Sequence, residues 1–362
     1  MKKLTSILLF SLMIIFPFGQ LTRISLGLGV NLYLHDFIIT ILAIIYIFNK
    51  PKFKSFLTKP LIIFISAATL SLVVNLNKFP LSQIFTSSLY LVRFIVYSSL
   101  FFIIKDQSKT TKKTLFKLLI YVTTAIGLFG LLQYFLLPDT RFLFFSNWDD
   151  HYYRLLSSFL DPNFTGILLV LGLILVFFAQ KHWYYYLILL TPLFLTYSRS
   201  SYLGLLTAGL AISIIKKKFK YLLAIIVLLI ISLPVLPRPG GEGVKLERVF
   251  SIKQRAYNYQ EGIKIFKTDP IFGIGFNTLR LHRNDFTSHA ASGLDSSPLF
   301  VLTTTGIVGL IAYLNLLKNI YKISPIVQIS LITVLVHSFF QNTLFYPWVM
   351  IWLWVLSATE YS

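Results

Sequence analysis

Apolar residues run through this chain in long blocks, and polar residues collect in the short stretches between them. Twelve blocks stand out, at about 4–19, 36–48, 60–75, 81–104, 115–137, 161–179, 184–198, 200–215, 221–236, 295–315, 325–341 and 345–358. A bilayer core about 30 Å thick calls for roughly 17–25 such residues in a helix, and several blocks reach that length. They are continuously apolar, without the period-two alternation of barrel strands. The pattern therefore predicts an all-α integral membrane protein of about 12 transmembrane helices. Lys2 and Lys3 precede the first block, and no small-residue cleavage site follows it, so it reads as a first span rather than a signal peptide.

The pattern is interrupted at length only once. From Pro237 to Asp295 the chain carries nine Lys/Arg, six of its 13 acidic residues and two of its six histidines. Pro237, Pro239, Gly240, Gly241 and Gly243 end the preceding span. A helix is expected from about Val244 to Lys267, stopped by Asp269-Pro270. On it Arg248, Arg255 and Tyr259 would share a face. Gly273-Ile274-Gly275 reads as a turn, since it lacks the rest of a dinucleotide fingerprint. A second short helix would bring Arg280 and Arg283 together at i, i+3, with His289 and Asp295 beyond it. The expected organisation is N-terminal helices (1–137), central helices (138–236), a long extracytoplasmic loop of short helices (237–294) before the tenth span, and closing helices (295–362).

Composition excludes a soluble domain. The chain of 362 residues is 56% hydrophobic and only 13% charged, against about 25% charged in soluble proteins. It has no cysteine, which removes disulfides, thiolate nucleophiles and Cys-ligated metals. The formal net charge of +20 would suit nucleic acid if it were clustered, but most lysines lie in short loops between spans, where they set topology.

The distribution of the two basic residue types adds more. With the N-terminus inside, eighteen lysines and no arginine face the cytoplasm, while nine arginines (23, 141, 154, 199, 238, 248, 255, 280, 283) and five lysines fall on the opposite side. Both termini are then cytoplasmic. Arginine's planar fork binds phosphate and carboxylate bidentately, whereas lysine acts as a point charge. An arginine-rich outer face thus points to an anionic ligand there. Arg199 sits in Tyr197-Ser198-Arg199, between two spans with no room for a loop. Arg93 lies inside the fourth span, where a charge costs about 2.5–3.5 kcal/mol on insertion scales. It is either a functional group or half of an internal ion pair. Asp161-Pro162-Asn163 has the form of a helix cap and first turn.

Four segments in order resemble the O-antigen ligase/polymerase family of bacterial envelope glycosyltransferases. They are Arg154-Leu-Leu-Ser-Ser-Phe-Leu-Asp-Pro-Asn163; Thr196-Tyr-Ser-Arg199; Arg255 with Asp269-Pro-Ile-Phe-Gly-Ile-Gly275; and Asp295-Ser-Ser-Pro-Leu-Phe-Val-Leu-Thr-Thr-Thr-Gly306-Ile-Val-Gly309. The resemblance covers roughly residues 140–315. It implies a GT-C-like inner-membrane enzyme that moves glycan from an undecaprenyl-pyrophosphate carrier to a hydroxyl acceptor, on a glycan or a lipid, at the extracytoplasmic face. Neither metal nor other cofactor is implied, and the partners would be membrane lipid and a chain-length regulator protein rather than nucleic acid. Arg199 and Arg255 match family positions and would bind the pyrophosphate, with Arg280, Arg283 and Arg154 assisting; Asn163, Tyr259 and Arg93 would support them. The family's ligases place His-Asn where this chain has Asp295-Ser296, so the base would be either His289 or Asp295. That departure favours a polymerase over a ligase; the alternative outside enzymes is a transporter or flippase of lipid-linked sugar.

Overall fold

The computed structural model describes residues 2–27, 30–49, 53–146, 148–285, 291 and 293–361. Five helices carry the N-terminal part: α1 (Lys2–Ile15), α2 (Leu34–Phe48), α3 (Thr58–Val74), α4 (Leu81–Lys105) and α5 (Lys109–Leu136). The central group is α6 (Pro162–Phe178), α7 (Trp183–Leu195), α8 (Arg199–Lys216) and α9 (Lys220–Val235). The polar island forms α10 (Phe250–Thr268) and α11 (Leu279–Arg283), and α12 (Ser297–Tyr321), α13 (Pro325–His337) and α14 (Pro347–Glu360) close the chain. Each of the twelve apolar blocks is helical. Among the described residues, five stretches are long and apolar enough to cross a membrane: Lys3–Thr22, Thr58–Lys78, Leu81–Lys105, Lys109–Leu136 and Ser297–Tyr321. Between α1 and α2 the chain also makes a small antiparallel hairpin of β1 (Arg23–Ser25) and β2 (Asn31–Tyr33), which the apolar pattern did not foretell.

The helix starts follow local chemistry. Asp161 caps α6 through the amides of Asn163 and Phe164, with Pro162 in the first turn. Ser198, Ser296 and Ser324 cap α8, α12 and α13 in the same way. Each cap satisfies amides that would otherwise lack partners. Burial sorts the helices. From Thr165 to Val176 α6 is buried all round, and α14 is buried from Trp348 to Ala358; such all-apolar helices belong at the centre. On α9 Leu229 alone is buried, so that helix lies at the periphery.

Two features of the island depend on tertiary contacts. The helix expected from Val244 begins only at Phe250. The carbonyls of Gly243 and Lys245 accept from Arg248, and those of Leu246 and Arg248 accept from Arg199. These contacts accompany a turn over 245–249 that does not join α10. Arg248 therefore lies ahead of α10 and does not share a face with Arg255, whereas Tyr259, one turn on from Arg255, does.

The second feature is a break in α12 at Gly306 (φ 65°). The carbonyls of Thr303 and Thr304 accept from the amides of Ile274 and Gly275 at 3.2 and 3.1 Å, and the amides of Ile307 and Val308 donate to Pro270 and Ile271. Asn75 Nδ2 adds a bond to the Gly273 carbonyl, and Ser71 Oγ one to that of Thr304. A Cβ on Gly306 would lie 2.2 Å from the Ile271 oxygen. Gly273 and Gly306 thus let two main chains touch inside the helical body, and each satisfies polar groups that the kink exposes in the other.

Candidate functional site

The N-termini of α6 and α8 meet beneath the polar island. Asn163 Oδ1 accepts from Ser198 Oγ at 2.8 Å, and Ser201 Oγ donates to the Asn163 carbonyl. Above this junction the loop leading into α6 supplies Arg154, which is 6% exposed and donates from Nε to the Thr196 carbonyl at 2.9 Å. Its Nη2 is buried with no hydrogen-bond partner among the described residues. Arg199, at the first turn of α8, reaches the Leu246 and Arg248 carbonyls from Nη1 and Ser251 Oγ from Nη2 at 2.6 Å. Arg248 returns a bond to the Tyr197 carbonyl at 3.1 Å.

From the other side α10 presents Arg255 and Tyr259 to the turn that follows α13. Arg255 Nε donates to the Phe340 carbonyl at 3.1 Å, and Tyr259 Oη donates to that of Phe339 at 2.6 Å. Asp295 lies just before the α12 cap, half-buried, with its amide held by Asn258 Oδ1. Three helix N-termini (α6, α8 and α12) lie in this region, and their dipoles add positive potential.

The electrostatics reflect crowding of like charge. Burial, and next the Arg248 guanidinium, pull Arg154 down to about 9. Burial, then Arg199 and Arg255, bring Arg248 to about 10. Arg255 is lowered by burial and by Arg199, with Asp295 opposing. Burial is the larger cause in each case, and the neighbouring guanidiniums add to it, so the cluster disfavours its own charge. Burial lifts the Asp295 carboxyl above its ordinary range. Arg255 and Arg283 pull against that lift, and Asp149 adds to it.

Other residues singled out from the sequence lie elsewhere or act as scaffold. Arg283 forks onto Glu261 at 2.9 and 2.6 Å and also holds the carbonyls of Ala291 and Gly293. It is a strut for the approach to Asp295. Arg280 is half-buried on α11. Arg93 forms a two-pronged pair with Asp36 on α2 at 3.0 and 2.9 Å, and Tyr97 Oη donates to the same carboxylate, so it is half of an internal ion pair. His289 lies outside the described residues. Among those residues no group of three or more metal-ligating side chains occurs.

Three participants were not picked out for the site from the sequence. Arg248 was placed on one helix face with Arg255 and Tyr259, and Asp149 was not singled out. His337, at the end of an apolar block, ends within 3.1 Å of Ser200 Oγ. An ionisable residue inside a span is a functional candidate by default, and that rule would have found it.

Residues 184–314 match a protein-family model described as O-antigen ligase. The match runs from α7 to the middle of α12 and includes Arg199, Arg248, Arg255 and Asp295. No curated protein sequence matches the chain. Over that segment the chain is similar to the O-antigen ligase family, and its long apolar helices are those of a membrane protein.

Proposed function

We propose that the protein transfers glycan repeat units from an undecaprenyl-pyrophosphate carrier onto a hydroxyl of a growing chain, as a polymerase at the outer face of the inner membrane. The observation carrying this reading is the cluster of Arg154, Arg199, Arg248 and Arg255, whose charges repel one another with few acids between them. A pyrophosphate supplies several acceptor oxygens for such a cluster, and its charge grows as the glycosidic bond to phosphate breaks.

In this reading Arg255 and Arg199 face the pyrophosphate, and the buried Nη2 of Arg154 offers a further donor. Asp295 acts as the general base. It removes the acceptor hydroxyl's proton as that oxygen bonds to the anomeric carbon and the lipid pyrophosphate departs. A carboxyl lifted by burial is better matched to that task than an ordinary surface aspartate. His289 is the other candidate base. Polymerase is preferred to ligase because Asp295-Ser296 fills the slot where the family's ligases carry His-Asn.

The test is glycan chain-length profiling in a strain lacking the gene, complemented with wild type, Arg199→Ala, Arg255→Ala, Asp295→Asn and His289→Ala, each checked for membrane abundance. Single repeat units on the acceptor in the deletion strain, with long chains restored by wild type and not by the arginine variants, are expected. Long chains accumulating unattached on the carrier would instead mark a ligase, and full complementation by every variant would overturn the site.

A further inference from the structure

His337 is the last residue of α13 and is 0% exposed. Its Nε2 lies 3.1 Å from Ser200 Oγ and 3.5 Å from Ser201 Oγ, both in the first turn of α8 immediately after Arg199. Its Nδ1 lies 2.7 Å from Thr343 Oγ1. Whichever tautomer is present, both ring nitrogens are engaged by hydroxyls able to donate or accept.

Between His337 and Thr343 runs the turn whose Phe339 and Phe340 carbonyls hold Tyr259 and Arg255. The imidazole therefore has one nitrogen on the helix that starts with Arg199 and the other on the turn that places Arg255. The same turn is tied to α12: Ser297 N donates to the Ser338 carbonyl at 2.9 Å, and Leu344 N donates to Ser297 Oγ at 3.0 Å. Ser297 stands two residues after Asp295.

A residue needed only to fill this space would be apolar, because each buried polar atom left unpaired costs about 1–3 kcal/mol. Polar partners on both nitrogens instead fix orientation and spacing. Its burial also keeps His337 from touching a substrate, so it is no rival to Asp295 or His289 as base.

We infer that His337 is a positioning residue, which holds the Arg255 turn in register with the α8 start so that Arg255 and Arg199 address one pyrophosphate. This inference rests on the lipid-pyrophosphate reading above. The strut runs from α8, inside the segment matched as O-antigen ligase, to α13, outside it. The anion site is then completed by a helix beyond the matched segment.

The experiment uses the full-length protein purified in detergent. It measures binding of inorganic pyrophosphate, and kcat and KM for a lipid-linked donor. Variants are His337→Leu, His337→Asn, Thr343→Val, Arg255→Ala and the double variant Arg255→Ala/His337→Leu. Loss of register should weaken pyrophosphate binding and raise donor KM on the order of tenfold in His337→Leu, with kcat within about threefold. His337→Asn, which can still reach Thr343, should recover part of the loss, and Thr343→Val should show a smaller effect in the same direction. The double variant should bind no more weakly than Arg255→Ala alone, since both changes act through one group.

A fall in kcat at unchanged KM, or wild-type binding in both His337→Leu and Thr343→Val, would overturn the positioning role while leaving the anion site intact. If His337→Leu fails to accumulate, Thr343→Val decides. If Arg255→Ala binds pyrophosphate as wild type does, the pyrophosphate reading itself falls, and the His337 inference with it.

Discussion

Arg199 Nη1 donates to the main-chain carbonyl of Arg248 at 3.0 Å, and Arg248 Nη2 donates to the carbonyl of Tyr197 at 3.1 Å. Two arginines of like charge are thereby interlocked through backbone oxygens rather than through acids. The arrangement fixes both guanidiniums without neutralising either, as an anion-binding centre requires.

Arg248→Lys should therefore lower activity although the charge is kept. An ammonium on a flexible stem cannot hold the Gly243, Lys245 and Tyr197 carbonyls with the geometry of a rigid fork. Displacement of Arg199 by about 1 Å would cost roughly 10–100-fold in glycan transfer. Initial rates with abundance-matched protein check this, and a rate equal to wild type would remove Arg248 from the site.

Asp295→Asn should reduce transfer by at least about 100-fold, the lower range for loss of a general base. With the Asp295 carboxyl raised in the folded protein, the basic form is lost at a higher pH than for an ordinary aspartate. The acidic limb of the pH–rate profile should lie correspondingly high. Asp149 contributes to that elevation, so Asp149→Asn should move the limb to lower pH. Asp149 is exposed, and high salt should shrink the difference.

Gly306→Ala should destabilise the protein by roughly 2–5 kcal/mol, combining a positive φ with a Cβ that meets the Ile271 carbonyl. Thermal unfolding in detergent would show this as a clear fall in midpoint. Gly204→Ala on α8, where the nearest atom stands 3.5 Å away, is the matched control and should unfold near wild type.

Arg93→Leu should chiefly lower abundance and stability, because it leaves Asp36 charged inside the helical body, a loss of about 3–5 kcal/mol. Asp36→Asn/Arg93→Leu should recover much of it. Activity per folded molecule should stay near wild type in the double variant; a persistent loss of turnover would return Arg93 to the list of functional groups.

How much of this was legible beforehand differs from residue to residue. The helices α6, α8 and α12 were readable because their signals are local: an apolar run, a Ser or Asp cap and, in α6 and α12, a proline in the first turn. Arg199 and Arg255 were readable because they stand in short motifs. The late start of α10 was not, since helix propensity over 244–249 is overridden by carbonyl contacts to Arg199, which precedes them by about fifty residues. The pairing of Arg283 with Glu261 was not legible, because a sequence shows a charge but not its partner. Gly273 and Gly306 stood in two separate segments, and their common purpose, two main chains in contact, appeared only with the fold.

By itself the sequence determined the class of molecule, since bilayer thickness and backbone hydrogen bonding leave few structures open to a chain with such apolar blocks. It also determined the approximate ends of the apolar helices. Only the tertiary structure decided that Arg154, Arg199, Arg248 and Arg255 press on one another, that Asp295 is half-buried beside them, and that His337 ties their supports together. Those relations join residues far apart in the chain, and their energies depend on burial and direction, which no local pattern of residues encodes.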